Sequence, residues 1–227
     1  MLFPGQRLGM AITLATGVGT QRLQSRIDTL EERAITGATF SAEDRAFLSD
    51  FYRTLATGAK LTLVIRQTGR LMDHYLDGSG TEYQLDPVIF QDNAKVQTEL
   101  DTLRARANAK PCLGVAHYAS RTFHMPDASK LDSVFGLYYG SVALTRSRAS
   151  DGQCTSHVRA EVPWFWPSYA SLKLKHGSYH AESFPLPNLQ SLLFGPKHAL
   201  FVDNGLGEHL VPLGLARPFL AAAEWDE

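Results

Sequence analysis

Proline, histidine and tryptophan are distributed very unevenly along this chain of 227 residues. Nine of the eleven prolines, seven of the eight histidines and all three tryptophans follow residue 110. Proline lacks a backbone donor and blocks helix interiors, so long helices are favoured before residue 110 and disfavoured after it. We therefore predict a helical subdomain over residues 1–110 and an antiparallel, β-rich subdomain over residues 111–227, joined in one compact unit.

Four helices are predicted in the first part, because its apolar residues recur at spacings of three and four. The first runs from about Leu8 to Ala34 and is interrupted by Gly17 and Gly19. The other three are a helix capped by Ser41 and ended by Gly58, a helix from about Ala59 to Asp77 stopped by Gly78-Ser-Gly80, and a helix from about Pro87 to Ala107.

The second part changes to the alternation that is typical of strands. Residues 134–145 are rich in aromatic and β-branched side chains, residues 147–152 supply a turn, and residues 155–162 alternate between apolar and polar. This pattern predicts a β-hairpin. Further strands are predicted at 171–175, 198–203 and 219–225, with 184–188 as a proline-rich connection. Helices followed by antiparallel strands indicate an α+β fold, with the N-terminal helical half packed on a mainly antiparallel C-terminal half.

The charge balance narrows the class of partner. The formal net charge is −1, so the broad basic surface that binds nucleic acid is not expected. The most apolar early stretch, Leu8 to Val18, is too short to cross a bilayer, so we expect no stable transmembrane segment. Its threonines and glycines and the lack of a cleavage site also predict no conventional export signal.

Cys112 and Cys154 are the only cysteines, and they lie 42 residues apart. They form no CxxC pair and therefore no metal site by themselves. We expect free thiols, as in a reduced cytosolic protein, whereas one disulfide closing this loop would suit an oxidising compartment. The spacings of the histidines give no metal-binding motif, and the glycine patterns of nucleotide-binding loops are absent, so neither a metal nor a cofactor is expected.

Two groups of residues are candidates for catalysis. His74 and Asp77 are three apart at a predicted helix end, where a carboxylate can orient an imidazole acting as a general base. His157, Arg159 and Glu161 share one face of a predicted strand, where a base, a cation that stabilises an oxyanion and a carboxylate would be aligned. The alternatives are a solvated, capped helix end for the first group and the water-facing side of a sheet for the second.

Three aromatic residues are candidates for binding. Trp164, Trp166 and Tyr169 lie among prolines, which could hold them as a rigid exposed platform for a sugar ring or a partner protein. The alternative is that this run fixes a strand end in the core.

Two short segments resemble known proteins. Residues 71–80, LMDHYLDGSG, followed by Tyr83 and Asp86, are similar to segments of C-terminal toxin domains in bacterial polymorphic toxins and secreted interbacterial effectors. The end of the chain, Gly214 to Phe219 with Trp225, also resembles the ends of some such chains. The resemblance covers about 30 residues and carries no catalytic signature.

The resemblance implies a secreted antibacterial effector. It would reside in the bacterial cytoplasm before delivery and then enter a target cell without a conventional signal peptide. We expect it to act on the target-cell envelope, as a hydrolase or as a membrane-permeabilising toxin without catalysis. The implied partners are a cognate immunity or chaperone protein and an envelope component. A non-catalytic adaptor or partner-binding module is the alternative from another class.

Overall fold

The computed structural model describes residues 20–61, 66–125, 139–164, 184–186, 200–202 and 204–227. The helices are α1 (Thr20–Thr36), α2 (Ala42–Leu61), α3 (Arg66–Asp77), α4 (Val88–Gln91), α5 (Ala94–Asn108) and α6 (Asn204–Glu208). The strands are β1 (Tyr83–Gln84), β2 (Ala116–Ala119), β3 (Phe123–His124), β4 (Tyr139–Arg148), β5 (Cys154–Trp164), β6 (Phe184–Leu186), β7 (Leu200–Val202) and β8 (Phe219–Asp226). Helices before a mostly antiparallel sheet confirm the α+β prediction.

The described residues form two compact units. The first contains residues 20–58, 76–78, 184–186, 200–202 and 204–217, and the second contains residues 59–61, 66–75, 79–125, 139–164 and 218–227. Helices from before residue 110 and strands from after it contribute to both units. The proposed subdomains 1–110 and 111–227 stay a prediction.

In the first unit, α1 packs against α6 and β7, and β7 pairs antiparallel with β6. The start of α2 is fixed by a capping box, as Ser41 predicts. Ser41 Oγ accepts from the Asp44 backbone N–H at 3.1 Å, and the Asp44 carboxylate accepts from the Ser41 N–H at 2.8 Å. The Asp44 carboxylate is buried and also accepts from Arg26 and Arg33 at 2.7 and 2.6 Å. One buried anion therefore joins α1 to the start of α2.

The second unit is built around a six-stranded sheet. Its strand order is β1-β8-β5-β4-β2, with β3 also paired to β4. The β1–β8 pair is parallel and the other pairs are antiparallel. Helix α5 packs on β4 and β2 and buries Val96, Leu100, Leu103 and Ala107. The predicted hairpin is confirmed, because β4 and β5 pair through a turn with Gly152 at a φ of +87°.

Strand β5 follows the predicted alternation. Val158, Ala160 and Val162 are almost fully buried, whereas the residues between them remain partly accessible. A two-residue period places alternate side chains on opposite faces of a sheet. The apolar face of β5 therefore belongs to the core, and His157, Arg159 and Glu161 lie on the opposite face.

Several predicted boundaries were wrong. Helix α2 continues through Gly58 to Leu61, because one glycine costs a helix only about 1 kcal/mol and neighbouring turns can offset that cost. The helix predicted from Pro87 to Ala107 is divided at Asn93, whose extended backbone and buried side chain cap α5 by accepting from Lys95 and Val96. Residues 184–186, predicted as a connection, form β6.

The cysteines also differ from the favoured prediction. Cys112 and Cys154 are joined in a disulfide, with their Cα atoms 6.5 Å apart. Free thiols were expected because spacing along the chain does not show which segments the fold brings together. The helix predicted before Thr20, the strand predicted at 171–175 and the start of the strand predicted at 134–145 lie outside the described residues.

Candidate functional site

The exposed side of the sheet in the second unit carries a row of polar side chains from several strands. Pairing places His157 of β5 opposite Asp226 of β8 on one side and Thr145 of β4 on the other. Arg159 lies opposite Glu224 of β8. We call this surface the polar sheet face; it comprises Glu82, His117, Thr145, His157, Arg159, Glu161, Glu224 and Asp226.

Arg159 is the centre of the polar sheet face. Its Nε donates to Glu161 at 2.6 Å, and its two terminal nitrogens donate to Glu224 and Glu82. These hydrogen bonds, the one to Glu161 first, raise the pKa of Arg159 well above its usual value. The three carboxylates come from β5, β8 and the residue before β1, so one guanidinium joins three strands. It can stabilise an oxyanion only if one of these carboxylates is displaced.

The pKa of Glu224 is lowered, chiefly by the hydrogen bond that its carboxylate accepts from Arg159. Desolvation opposes this effect, and the charges of Arg159 and His157 add to it. Glu224 is therefore a carboxylate at neutral pH.

His157 lies between two carboxylates. Its Nδ1 is 2.8 Å from Asp226 Oδ1, and its Nε2 is 3.5 Å from Glu224 Oε2. A carboxylate on Nδ1 fixes the orientation and tautomer of an imidazole, which is how a general base is positioned. Asp226 is 86% exposed, so this pair is open to solvent and not enclosed in a cleft.

His117 extends the same row across β4. Its Nδ1 is 3.0 Å from Thr145 Oγ1, and Thr145 is the residue opposite His157. The sequence prediction named His157, Arg159 and Glu161 but not Glu82, His117, Thr145, Glu224 or Asp226. The alternation of polar residues near the end of β8 was a usable signal for the last two, but strand pairing was needed to place them beside His157.

The other candidate histidine lies in a different environment. His74 is in the last turn of α3, and its Nε2 donates to the Thr81 carbonyl at 2.9 Å. Its ring packs edge-on against Phe219, with centroids 4.5 Å apart, and at 5.1 Å from Tyr83. Asp77 is the exposed last residue of α3, and a catalytic role for the two stays a prediction.

The aromatic candidates divide into one buried and two undescribed residues. Trp164 is 7% exposed and packs against Tyr75 and Phe219, with ring centroids 5.0 and 5.5 Å away. It is therefore part of the core, the alternative considered for this run. Trp166 and Tyr169 lie outside the described residues, and their role in binding stays a prediction.

We expect replacement of Arg159 by methionine to lower the free energy of unfolding at neutral pH by about 1 kcal/mol, because Glu82, Glu161 and Glu224 would then repel one another. The pKa of Glu224 is lowered in the folded protein, so the stability that it contributes is present above its unfolded pKa and lost on acidification. The difference in the free energy of unfolding between wild type and R159M should therefore become smaller as the pH falls from about 7 to about 3. Urea unfolding across this pH range measures the difference. E161Q, which keeps Arg159, is the control. A difference that does not change with pH would contradict the role given to the carboxylates.

Within the described ranges, no group of three or more His, Cys, Asp or Glu side chains is arranged to hold a metal ion. The described helices include none that is both long and apolar enough to span a membrane. Comparison of the chain with protein-family models, curated proteins and solved structures gives no match.

Proposed function

We propose that this chain is a secreted antibacterial effector that acts on the envelope of a target cell. The observation that carries the proposal is the Cys112–Cys154 disulfide. Disulfides persist in oxidising compartments, among them the bacterial periplasm, and are rare in the cytosol. A disulfide-bonded protein is therefore suited to work at the envelope, where the proposed target lies.

The proposed route runs from the cytoplasm of the producing bacterium into the target cell. A cognate immunity or chaperone protein would bind the effector before delivery, and an envelope component would bind it afterwards. The near-neutral net charge of −1 favours such targets over nucleic acid.

Within this proposal, hydrolysis is the activity that the polar sheet face supports. His157 would take a proton from an attacking water through Nε2, while Asp226, at 2.8 Å from Nδ1, would hold the ring in place. Glu224, 3.5 Å from Nε2, would have to move for water to reach that atom. His74 and Asp77 remain a second candidate pair.

The test of the effector proposal is expression of the chain in bacteria, either in the cytoplasm or directed to the periplasm. We expect loss of colony formation when the protein is sent to the periplasm, where the disulfide can form. Normal growth with the protein in both compartments, with its accumulation verified by immunoblot, would contradict the proposal.

Single variants separate the hydrolase from the membrane-permeabilising form. H157A should restore growth. The matched control is H117A, which removes a histidine from the same face of the sheet. His117 contacts the Thr145 hydroxyl and not a carboxylate, so H117A should stay toxic. H74A tests the second pair. Full toxicity of both H157A and H74A would exclude these catalytic roles, and entry of a membrane-impermeant dye into the cells would then indicate permeabilisation.

A partner-binding module remains the alternative. Because Trp164 is buried, this alternative rests on Trp166 and Tyr169. Replacing both by alanine should abolish capture of the partner without lowering the melting temperature, and a large loss of stability would place them in the core.

A further inference from the structure

The disulfide joins two segments at one end of the sheet. Cys112 lies in residues 109–115, which link α5 to β2 and which we call the connector. Cys154 is the first residue of β5 and pairs with Arg148 at the end of β4. In the sheet β4 lies between β2 and β5. The disulfide therefore links the connector before β2 to β5, on the other side of β4.

Few other contacts secure the connector. Leu113 and Val115 are 79% and 67% exposed, so its apolar side chains contribute little burial. It leads into β2, a four-residue strand that, within the described ranges, pairs with β4 at the end of the strand order. The far end of β2 is better fixed, because Ser120 exchanges hydrogen bonds of 2.8 and 2.9 Å with Val142. At the near end, Ala116 pairs with Arg146 and the Lys110 carbonyl accepts from Arg146 at 3.4 Å, and the disulfide adds the covalent tie to β5.

The two sulfurs lie in different surroundings. Cys154 is an exposed residue, open to an external thiol. Cys112 is partly buried and lines a cleft of about 190 Å³ together with Arg146. The Arg146 guanidinium is held there by donating to the Ala107 carbonyl at 2.7 Å. Because Cys154 is the more exposed of the two residues, attack on its sulfur is favoured, and Cys112 is then the leaving thiolate.

From this geometry we propose that the Cys112–Cys154 disulfide is a reversible redox latch that holds the connector and the start of β2. An external thiolate attacks Sγ of Cys154, and the electron pair of the broken S–S bond leaves on Sγ of Cys112. A second thiolate then attacks the external sulfur of this mixed disulfide and releases Cys154. Two external thiols are oxidised to one disulfide, and the protein gains two electrons and two protons as its two thiols.

Opening the latch releases one edge of the sheet and leaves its centre intact. Strands β4, β5 and β8 are paired along eight residues at each of their two junctions, so they do not depend on the connector. The connector before Ala116 loses its covalent tie to β5, while Ser120 stays bonded to Val142. This opening involves only the disulfide, the connector and β2, so it does not depend on the proposed function.

The first experiment identifies the sulfur that is attacked. The purified oxidised chain is incubated with reduced glutathione without denaturant, quenched with acid and mapped by mass spectrometry. The early adduct should be on Cys154, with Cys112 as a free thiol. A predominant adduct on Cys112, or a disulfide that is reduced only in denaturant, would overturn the proposal.

The second experiment follows the opening itself by amide hydrogen exchange. In the reduced protein we expect β2 amides to exchange at least about tenfold faster, most strongly at Ala116, while β5 and β8 amides keep their rates. The variant with both C112S and C154S should behave as the reduced protein. If it does not fold, wild type reduced by dithiothreitol provides the same measurement.

Unchanged exchange in β2, or an equal loss of protection throughout the sheet, would refute the latch. Both measurements use purified protein, so absence of toxicity in cells would count against the proposed function and leave the latch standing.

Discussion

Replacing Asp44 by alanine is expected to lower the free energy of unfolding by about 2–3 kcal/mol, one of the two largest effects that we predict. Its buried carboxylate accepts hydrogen bonds from Arg26, Arg33 and Ser41. Alanine removes the capping box and the anion that both arginines share. Because the two arginine side chains are about one-third exposed, water can hydrate them in the variant, which limits the loss.

The matched control is Glu43→Ala. Glu43 is in the same first turn of α2, but its side chain is 88% exposed and 3.7 Å from Arg26. We expect a change below about 0.5 kcal/mol, since exposed ion pairs contribute little. Urea unfolding of both variants provides the measurement. Equal losses in D44A and E43A would show that the buried cluster has no special role.

The Asp44 carboxylate should also make the free energy of unfolding depend on pH. Burial raises the pKa of Asp44, but hydrogen bonds from Ser41 and the charges of Arg26 and Arg33 outweigh burial and hold the pKa below that of an ordinary aspartate. A lowered folded pKa means that the unfolded state binds the proton more tightly, so stability falls as the pH drops through the folded pKa. D44N, which cannot titrate there, should lose less stability on acidification than wild type.

Replacing Gly140 by alanine is expected to have the second large effect on stability. A Cβ at this position would lie 2.8 Å from the Glu161 carbonyl oxygen and 2.2 Å from Met125 Sδ. The methionine side chain can move, but the carbonyl belongs to the backbone of β5, which pairs with β4. We expect the free energy of unfolding to fall by about 2–3 kcal/mol, as for other overpacked core positions.

Gly58→Ala is its control. Gly58 lies inside α2, and nothing within 4 Å would contact its Cβ. Alanine is the better helix former, so this variant should gain about 0.5–1 kcal/mol. Thermal or urea unfolding compares the two glycines directly. A gain in stability at Gly140, or a loss at Gly58, would contradict the packing that these predictions assume.

The polar sheet face contains residues that the sequence could place together and residues that only strand pairing could. The alternation within residues 155–162 was enough to place His157, Arg159 and Glu161 on one face, because that period depends on neighbouring residues alone. Glu82, Glu224 and Asp226 come from segments far away along the chain. Their approach depends on the β5–β8 register and on the parallel β1–β8 pair, which no local pattern encodes.

The sequence by itself determined the local features of this protein: the capped start of α2 at Ser41, the end of α3 before Gly78, the β4–β5 hairpin and the two faces of β5. These depend on backbone preferences and on periodicity over a few residues. The tertiary structure alone decided that Cys112 meets Cys154, that Asp44 is shared by Arg26 and Arg33, and that Trp164 is buried. Each of these requires segments distant in sequence to pack together, and the free energy of that packing comes from the whole core.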